Sequence, residues 1–349
     1  MKKIIRKSIL MMLQGLIVLA TAFAGNPTRT GSSGASELLI PVGARGVALG
    51  ESSLMSAVGV DALYWNPAGL SRAGRSTEAM FSFMSYFADI KVNYGAIGFD
   101  AGGDIGWFGI SLKSLSFGDI PVTTEDYPDG TGSTYSPTFI NFGASYSKLL
   151  TDRISVGVTS TLISERIVNT SATGFGFNFG IQYFGIGIPE LNLGIAVKNV
   201  GPQMTFSGSD LLRIADAQQS QRGNQYYTVQ AASFTLPSMM EIGLSYHKKL
   251  DEQNSIMFGG NFQNNNSSDD VYGVGGEYSY NDNLFLRASY LTAPQAPNDP
   301  TNTNSFLYDY SLGAGVHYDA GGADLTFDYA FRHLRFMESN NVITLKVGF

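Results

Sequence analysis

The feature that most restricts the fold is an alternation of apolar with small or polar residues that begins near Ser76 and continues to the C-terminus. In residues 174–183, phenylalanine, isoleucine and tyrosine occupy every second position, and glycine, asparagine and glutamine lie between them. The same period recurs in residues 240–247, 310–318 and 324–332. Successive side chains of a β-strand point to opposite faces, so the pattern predicts a series of strands with one apolar face.

The number of strands and the lengths of their connections favour a membrane barrel. We count about fourteen strands, and bacterial single-chain barrels have an even number. The three longest predicted connections, residues 118–136, 201–236 and 294–306, all fall at one end of the strands, whereas the connections at the other end are short turns. Outer-membrane barrels have this asymmetry, with the short turns on the periplasmic side. The alternative, a secreted β-sandwich or propeller, has no reason to sort its connections in this way.

Composition supports the same choice. Charged residues make up only 15% of the chain, whereas glycine contributes 41 residues and aromatic residues contribute 12%. A soluble sandwich normally has more surface charge. A transmembrane barrel instead needs apolar side chains toward lipid and small or polar side chains toward its lumen. We therefore predict an all-β fold, a transmembrane antiparallel β-barrel of about 14 strands in the outer membrane of a bacterial cell.

The N-terminus has the three parts of a secretory signal: a basic start, an apolar stretch and an Ala-x-Ala cleavage site at residues 22–24. The alternative is a membrane anchor, which the short apolar core disfavours. We expect a signal peptide at residues 1–24, a leader and hatch segment at residues 25–75, and the barrel at residues 76–349. Without residues 1–24 the net charge falls from −7 to about −11, which disfavours nucleic acid as a partner.

No group of residues indicates an enzyme, so we expect no catalytic residue, no cofactor and no metal site. The chain has no cysteine, and its three histidines, His247, His317 and His333, do not have the spacing of metal ligands. The acidic residues near Glu125 and Asp269 lack the regular spacing of a calcium-binding loop.

Seven charged residues fall on the small-residue face of the predicted strands, which should line the lumen. A charge that faces lipid at mid-depth is costly, so the lumen is where such residues are expected. They either form ion pairs between strands or present a polar surface to the hatch or to a ligand. These lumen charges are Glu241, Glu277, Arg287, Asp324, Asp328, Arg332 and Lys346.

The longest predicted connection, residues 201–236, is too apolar for a loop that is surrounded only by water. We expect it to fold over the extracellular mouth or to offer a docking surface, with a short helix at residues 211–220. Its candidate partner-binding residues are Leu211, Leu212, Ile214, Tyr226, Tyr227 and Phe234.

Residues 43–72 form the one part of the expected mature chain that has neither strand nor turn character. Asn66 precedes Pro67, which disfavours the helical conformation, and its amide can turn the chain. Arg45 offers several donors that could pair with acidic residues of the lumen. The alternative is a plain linker, but the stretch is rich in residues of the kind that proteins bury. We therefore predict that it folds into the mouth or lumen of the barrel as a hatch.

This stretch resembles the N-terminal signature of the PorV/PorQ family, a group of FadL-like outer-membrane barrels. The resemblance rests on Gly-Ala-Arg-Gly at residues 43–46, Ala-Leu-Gly at residues 48–50, Asp-Ala at residues 61–62, and Trp-Asn-Pro-Ala-Gly-Leu at residues 65–70. The chain departs from the signature at Glu51, where the family usually continues with small residues, and at residues 56–59, where an acidic residue is common in the family. The hatch motif comprises Arg45, Trp65, Asn66, Pro67, Ala68 and Gly69. The resemblance implies a fourteen-stranded barrel plugged by an N-terminal hatch that bears this motif.

The resemblance also implies a function. Members of the PorV type are non-enzymatic components of type IX protein secretion that bind secreted substrate proteins and translocon or attachment-complex proteins. The Asn-Pro-Ala core is shared with the wider FadL family, so the alternative is an outer-membrane transporter of hydrophobic small molecules. A purely structural, porin-like barrel is a third option. The expected partners are therefore outer-membrane lipid together with either secretion proteins or a hydrophobic small molecule.

Overall fold

A closed antiparallel barrel of fourteen long strands forms most of the protein, as the sequence predicts. The computed structural model describes residues 29, 31–102, 104–216, 224–294 and 306–349, so the predicted signal peptide lies outside the described residues. Within those ranges no helix is both long and apolar enough to cross a bilayer. The strands are β1 (Thr77–Ser85), β2 (Lys91–Asp100), β3 (Trp107–Ser116), β4 (Thr138–Leu149), β5 (Ile154–Ile167), β6 (Thr170–Phe184), β7 (Leu191–Val200), β8 (Met239–Lys249), β9 (Asn254–Asn265), β10 (Val271–Tyr280), β11 (Leu284–Thr292), β12 (Tyr308–Asp319), β13 (Asp324–Leu334) and β14 (Asn340–Gly348).

Each strand pairs with the next one along the chain, and the first and last strands close the barrel. The β1–β14 pairing runs from Glu78 opposite Gly348 to Ser85 opposite Asn341. The ladder between β6 and β7 is interrupted near Asn178, where the register shifts. Closure leaves no unpaired strand edge within the barrel wall, which is what a sheet needs in order to stand in lipid.

The alternation of period two gives the barrel an apolar outer surface. On β6, Phe175, Phe179 and Ile181 are between 46% and 49% exposed, whereas Gln182 on the inner face is fully buried. Similar exposed apolar side chains occur on other strands around the barrel. A soluble monomer rarely exposes so extensive an apolar surface, and a bilayer covers such a belt.

The connections at the two ends of the barrel differ in length, as predicted. Asn281 and Asp282 join β10 to β11 with φ values of 54° and 53°. A tight hairpin turn needs two left-handed residues, and asparagine and aspartate accept that conformation more readily than most. The longest connections, after β3, β7 and β11, all lie at the opposite end.

The connection between β7 and β8 contains a pair of antiparallel strands where the sequence predicts a helix at residues 211–220. Leu212–Asp216 forms a strand that pairs with Asn224–Thr228. Ile214 lies opposite Tyr226 in this ladder, and pairs of β-branched and aromatic residues stabilise antiparallel strands. Over residues 211–216 the helix prediction is wrong because this cross-strand pairing prevails over the local helix propensity, and residues 217–220 lie outside the described residues.

Six short helical elements precede β1 in the described residues and fill the lumen; we call residues 36–72 the hatch. The elements are 3₁₀-helices at Ser36–Leu39, Gly50–Met55, Gly59–Asp61 and Pro67–Arg72, α1 (Ala44–Leu49) and α2 (Ala62–Trp65). Helix α1 packs on β10–β14, Gly50–Met55 packs on β7–β11, Pro67–Arg72 on β3–β6, and Gly59–Asp61 on β1 and β2. The hatch therefore contacts the inner face of every barrel strand.

Candidate functional site

The side chain of Asn66 ties the hatch to the barrel wall. Pro67 follows it, and Asn66 is extended, with φ −158° and ψ 104°. Its Oδ1 accepts a hydrogen bond from the N–H of Ala68 at 3.2 Å, which caps the last hatch helix. Its Nδ2 donates to the carbonyl oxygens of Leu54 in the hatch and Ile181 in β6, each at 3.2 Å. Asn66 is fully buried, so these bonds replace the water that its amide has lost.

Glycines in the wall make room for the hatch motif. Gly157 on β5 faces the backbone of Pro67, and Gly180 on β6 faces the side chain of Asn66. A Cβ atom at either glycine would overlap the motif, and Gly69 in the motif has no room for a side chain either. The fit between hatch and wall therefore depends on positions without side chains on both surfaces.

Adding one methyl group at Gly180 is expected to destabilise the protein by about 1–3 kcal/mol, because overpacked interiors relax only in part. The new Cβ would overlap Oδ1 of Asn66. The matched control is Gly95→Ala on β2, where nothing lies within 4 Å of the added atom and the expected change is within about 0.5 kcal/mol. Urea unfolding in phospholipid vesicles measures both variants. Equal unfolding midpoints would show that this contact is not tight.

Trp65 holds the two halves of the hatch together. Its side chain is only 2% exposed, and its Nε1 donates a hydrogen bond to the carbonyl of Val42 at 3.1 Å. The indole lies against Gly46 so closely that a Cβ there would overlap it. The ring of Tyr64 meets the indole edge-on, with centroids 5.2 Å apart, which is a favourable aromatic geometry.

A chain of four alternating charges joins the hatch to the wall. Arg45 of α1 makes two hydrogen bonds to the carboxylate of Glu277 on β10, both at 3.1 Å. Arg287 on β11 contacts Glu277 and also Asp328 on β13, each at 2.5 Å. The third donor of Arg45 reaches the carbonyl of Ser56 at 3.1 Å. Three of the predicted lumen charges, Glu277, Asp328 and Arg287, thus form an ion-pair network on the barrel wall. Arg45 of the hatch adds the fourth charge.

The other four lumen charges have different surroundings. Lys346 pairs with Asp61 of the hatch at 2.8 Å. Glu241 is buried and pairs with Lys198 on β7 at 2.9 Å. Asp324 lies near the short-turn end and pairs with Arg75 at 2.5 Å. Arg332 is buried with its guanidinium 3.5 Å from the centre of the Tyr308 ring, which it faces.

A cavity of about 220 Å³ lies on the side of the hatch that faces the long connections. Its floor consists of Leu38, Leu39, Glu51, Leu63 and Tyr64 of the hatch. Barrel strands form its walls and contribute both apolar and polar side chains. Apolar lining with a few placed polar groups is typical of small-molecule sites.

No protein-family model and no curated protein sequence matches the chain. Solved structures match in fold. The Pseudomonas putida toluene transporter TodX aligns with a TM-score of 0.53 at 16% identity, covering 86% of this chain and 96% of that one. A Pseudomonas aeruginosa FadL homologue aligns with a TM-score of 0.51 at 12% identity, covering 88% and 98%. This chain has the FadL-like barrel fold. The fold and the lipid-facing belt agree with the outer-membrane location that the sequence predicts.

The predicted partner residues of this FadL-like barrel occupy two different environments. Leu212, Ile214, Tyr226 and Tyr227 lie on the projecting hairpin and are between 41% and 73% exposed. Phe234 instead packs with Phe206 against a buried cluster that contains Ala35 and Leu38, and Leu211 is half-buried. The hairpin therefore presents an apolar surface to the outside, whereas the end of the connection fastens the start of the hatch.

Several residues that position the hatch or line the cavity escaped the sequence analysis. Nε2 of Gln182 donates to the carbonyl of Ala57 in the hatch at 2.9 Å. Lys113 donates to the carbonyl of Ile40 at 2.9 Å, and Lys198 is the partner of Glu241. The sequence signal that could have identified these residues is a long polar side chain at an inward position among small residues. It marks a residue that reaches across the lumen without identifying its partner.

Proposed function

We propose that the protein is a plugged outer-membrane channel that admits a small hydrophobic or amphipathic molecule. The observation that carries this proposal is the cavity above the hatch, with Leu38, Leu39 and Leu63 in its floor. A membrane barrel that served only as a scaffold has no need of a partly apolar cavity above its hatch. The toluene transporter TodX has the same fold, which supports a transport role rather than catalysis.

The hatch contacts every strand, so a molecule in the cavity can continue only when the hatch or the wall rearranges. The hatch is held by directional bonds at Asn66 and Arg45 rather than by a large apolar core alone. Such contacts have discrete broken and formed states, which suits an element that moves between two positions. We infer that the cavity is the waiting site for the transported molecule.

The test is saturable binding of toluene to the purified barrel in detergent. The chain has two tryptophans, so Trp107→Phe leaves Trp65 as the sole indole reporter. Trp65 touches Tyr64, which lies in the cavity floor, and its fluorescence should change as toluene binds. The control is Trp65→Phe, which leaves Trp107 outside the cavity and should give no saturable response. If calorimetry and fluorescence both find no binding of toluene, of its amphipathic derivatives or of larger hydrophobic molecules, the transport proposal is wrong.

A role in type IX protein secretion is the second candidate. It is supported by the resemblance of residues 38–72 to the PorV/PorQ signature and by the exposed apolar hairpin at Ile214 and Tyr226. The experiment is affinity purification from native outer membranes with identification of the proteins that co-purify. Replacing Ile214 and Tyr226 with serine should remove partners that dock on the hairpin. Normal export of signal-bearing proteins in a deletion strain would contradict this role.

A further inference from the structure

Two side chains in the cavity wall are buried without full hydrogen bonding. Asn141 on β4 and Arg332 on β13 are each 5% exposed, and both line the cavity. Neither Nδ2 nor Oδ1 of Asn141 has a hydrogen-bond partner in the described part of the chain, and the same is true of Nη1 of Arg332. Buried polar atoms in proteins nearly always have partners, since leaving them unpaired costs stability. These atoms point to polar groups on whatever occupies the cavity.

The two unpaired side chains belong to a cavity whose walls differ in chemistry. The side chains that strands β3–β6 contribute beside Lys113 carry hydroxyl and amide groups, such as those of Asn141 and Thr161, and Gly143 adds none. Strands β10–β12 contribute Leu291 and Tyr308. In the ring of strands these walls are separated by β7–β9 on one side and by β13, β14, β1 and β2 on the other. They therefore face each other across the lumen, one polar and one apolar.

The cavity lining has one more basic side chain than acidic ones, which favours an anionic ligand, and Arg332 is a candidate partner for it although Glu51 also lies within its electrostatic reach. Three basic side chains, Lys113, Lys198 and Arg332, line the cavity with two acidic ones, Glu51 and Glu241. Lys198 and Glu241 satisfy each other at 2.9 Å. The guanidinium carbon of Arg332 lies over the Tyr308 ring, 3.5 Å from its centre, and this cation–π contact helps to hold the guanidinium in place. A planar guanidinium with a free donor is suited to a carboxylate.

The volume of the cavity suits a single ring. An engineered cavity of about 150 Å³ in another protein holds benzene. The cavity here is about 220 Å³, which leaves space for a ring with two small substituents. We propose that the cavity binds a single aromatic ring bearing a carboxylate and a hydroxyl group, with the ring on the Leu291–Tyr308 wall, the carboxylate at Arg332 and the hydroxyl at Asn141. This inference rests on the proposed transport function and names its substrate class.

The experiment compares four ligands of similar size by calorimetry on the folded barrel: para-hydroxybenzoate, para-toluate, para-cresol and toluene. The wild-type barrel should bind para-hydroxybenzoate tightest and toluene weakest. Arg332→Met should weaken para-hydroxybenzoate and para-toluate by roughly 10- to 100-fold and leave para-cresol unchanged, since a hydrogen bond to a charged group is lost. Asn141→Leu should weaken para-hydroxybenzoate and para-cresol by roughly 2- to 10-fold and leave para-toluate unchanged.

Arg335→Met is the matched control, because Arg335 lies just beyond β13, pairs with Asp309 and does not line the cavity. The heat-dependent mobility of folded barrels on gels verifies that each variant folds. Equal binding of all four ligands by the wild type overturns the inference but leaves the transport proposal intact. Equal weakening of charged and neutral ligands by Arg332→Met also overturns the inference and leaves the transport proposal intact. If none of the four ligands binds, and larger hydrophobic molecules do not bind either, both proposals fail.

Discussion

Replacing Arg287 with methionine is expected to destabilise the barrel by about 3–5 kcal/mol, the usual cost of leaving a buried charge without its partner. The Arg287 side chain is 2% exposed and contacts Glu277 and Asp328, whose side chains are 12% and 4% exposed. Glu277 keeps Arg45 in the variant. Asp328 loses its only ion-pair partner in the described residues and remains in a site that water reaches poorly.

A second variant separates lost charge balance from lost packing. In Arg287→Met the four-charge chain has a net charge of −1, whereas Arg287→Met with Asp328→Asn is neutral again and keeps the Arg45–Glu277 pair. Neutral replacement of a buried pair is often tolerated, so the double variant should recover most of the stability. Urea unfolding in lipid vesicles measures both variants. If the double variant is as unstable as the single one, the effect comes from packing rather than from charge.

The barrel is predictable from the sequence because its main signal is local. Apolar and small residues alternate along each strand, so the sequence around Phe175 and Gln182 already shows which side chain meets lipid and which meets the lumen. The lengths of the connections follow from the same segmentation. The helix predicted at residues 211–220 is not found over residues 211–216, because Ile214 pairs with Tyr226 in a neighbouring strand, and that pairing is not visible from helix propensity.

The site was predicted only in part because its contacts join distant parts of the chain. The inward position of Glu277 followed from the strand period, and Arg45 was a reasonable partner for some lumen acid. Which acid it meets depends on how the hatch is rotated inside the barrel, and 232 positions separate the two residues. The cavity raised the same difficulty, since Asn141 and Arg332 become neighbours of one chamber only after closure.

Replacing Asn66 with leucine should release the hatch while the barrel stays folded. The change leaves the carbonyls of Leu54 and Ile181 and the N–H of Ala68 without this partner. Buried groups that lose their partners cost about 1–3 kcal/mol each. A total of about 3 kcal/mol would raise the undocked population roughly 100-fold. Planar-bilayer recordings should then show open events with a conductance that the wild type lacks.

The matched control for Asn66→Leu is Asn141→Leu, the same substitution at an inward asparagine that is also buried but makes no hydrogen bond to the hatch. This control should remain as closed as the wild type. Vancomycin sensitivity of cells that express each variant gives an independent measurement, because this antibiotic crosses the outer membrane poorly unless a large pore opens.

A closed Asn66→Leu barrel would mean that Arg45, Lys346 and Gln182 hold the hatch without Asn66. An open Asn141→Leu barrel would instead show that any loss of lumen polarity loosens the hatch. An open Asn66→Leu barrel together with a closed Asn141→Leu barrel would show that Asn66 of the Asn-Pro-Ala motif holds the hatch in place.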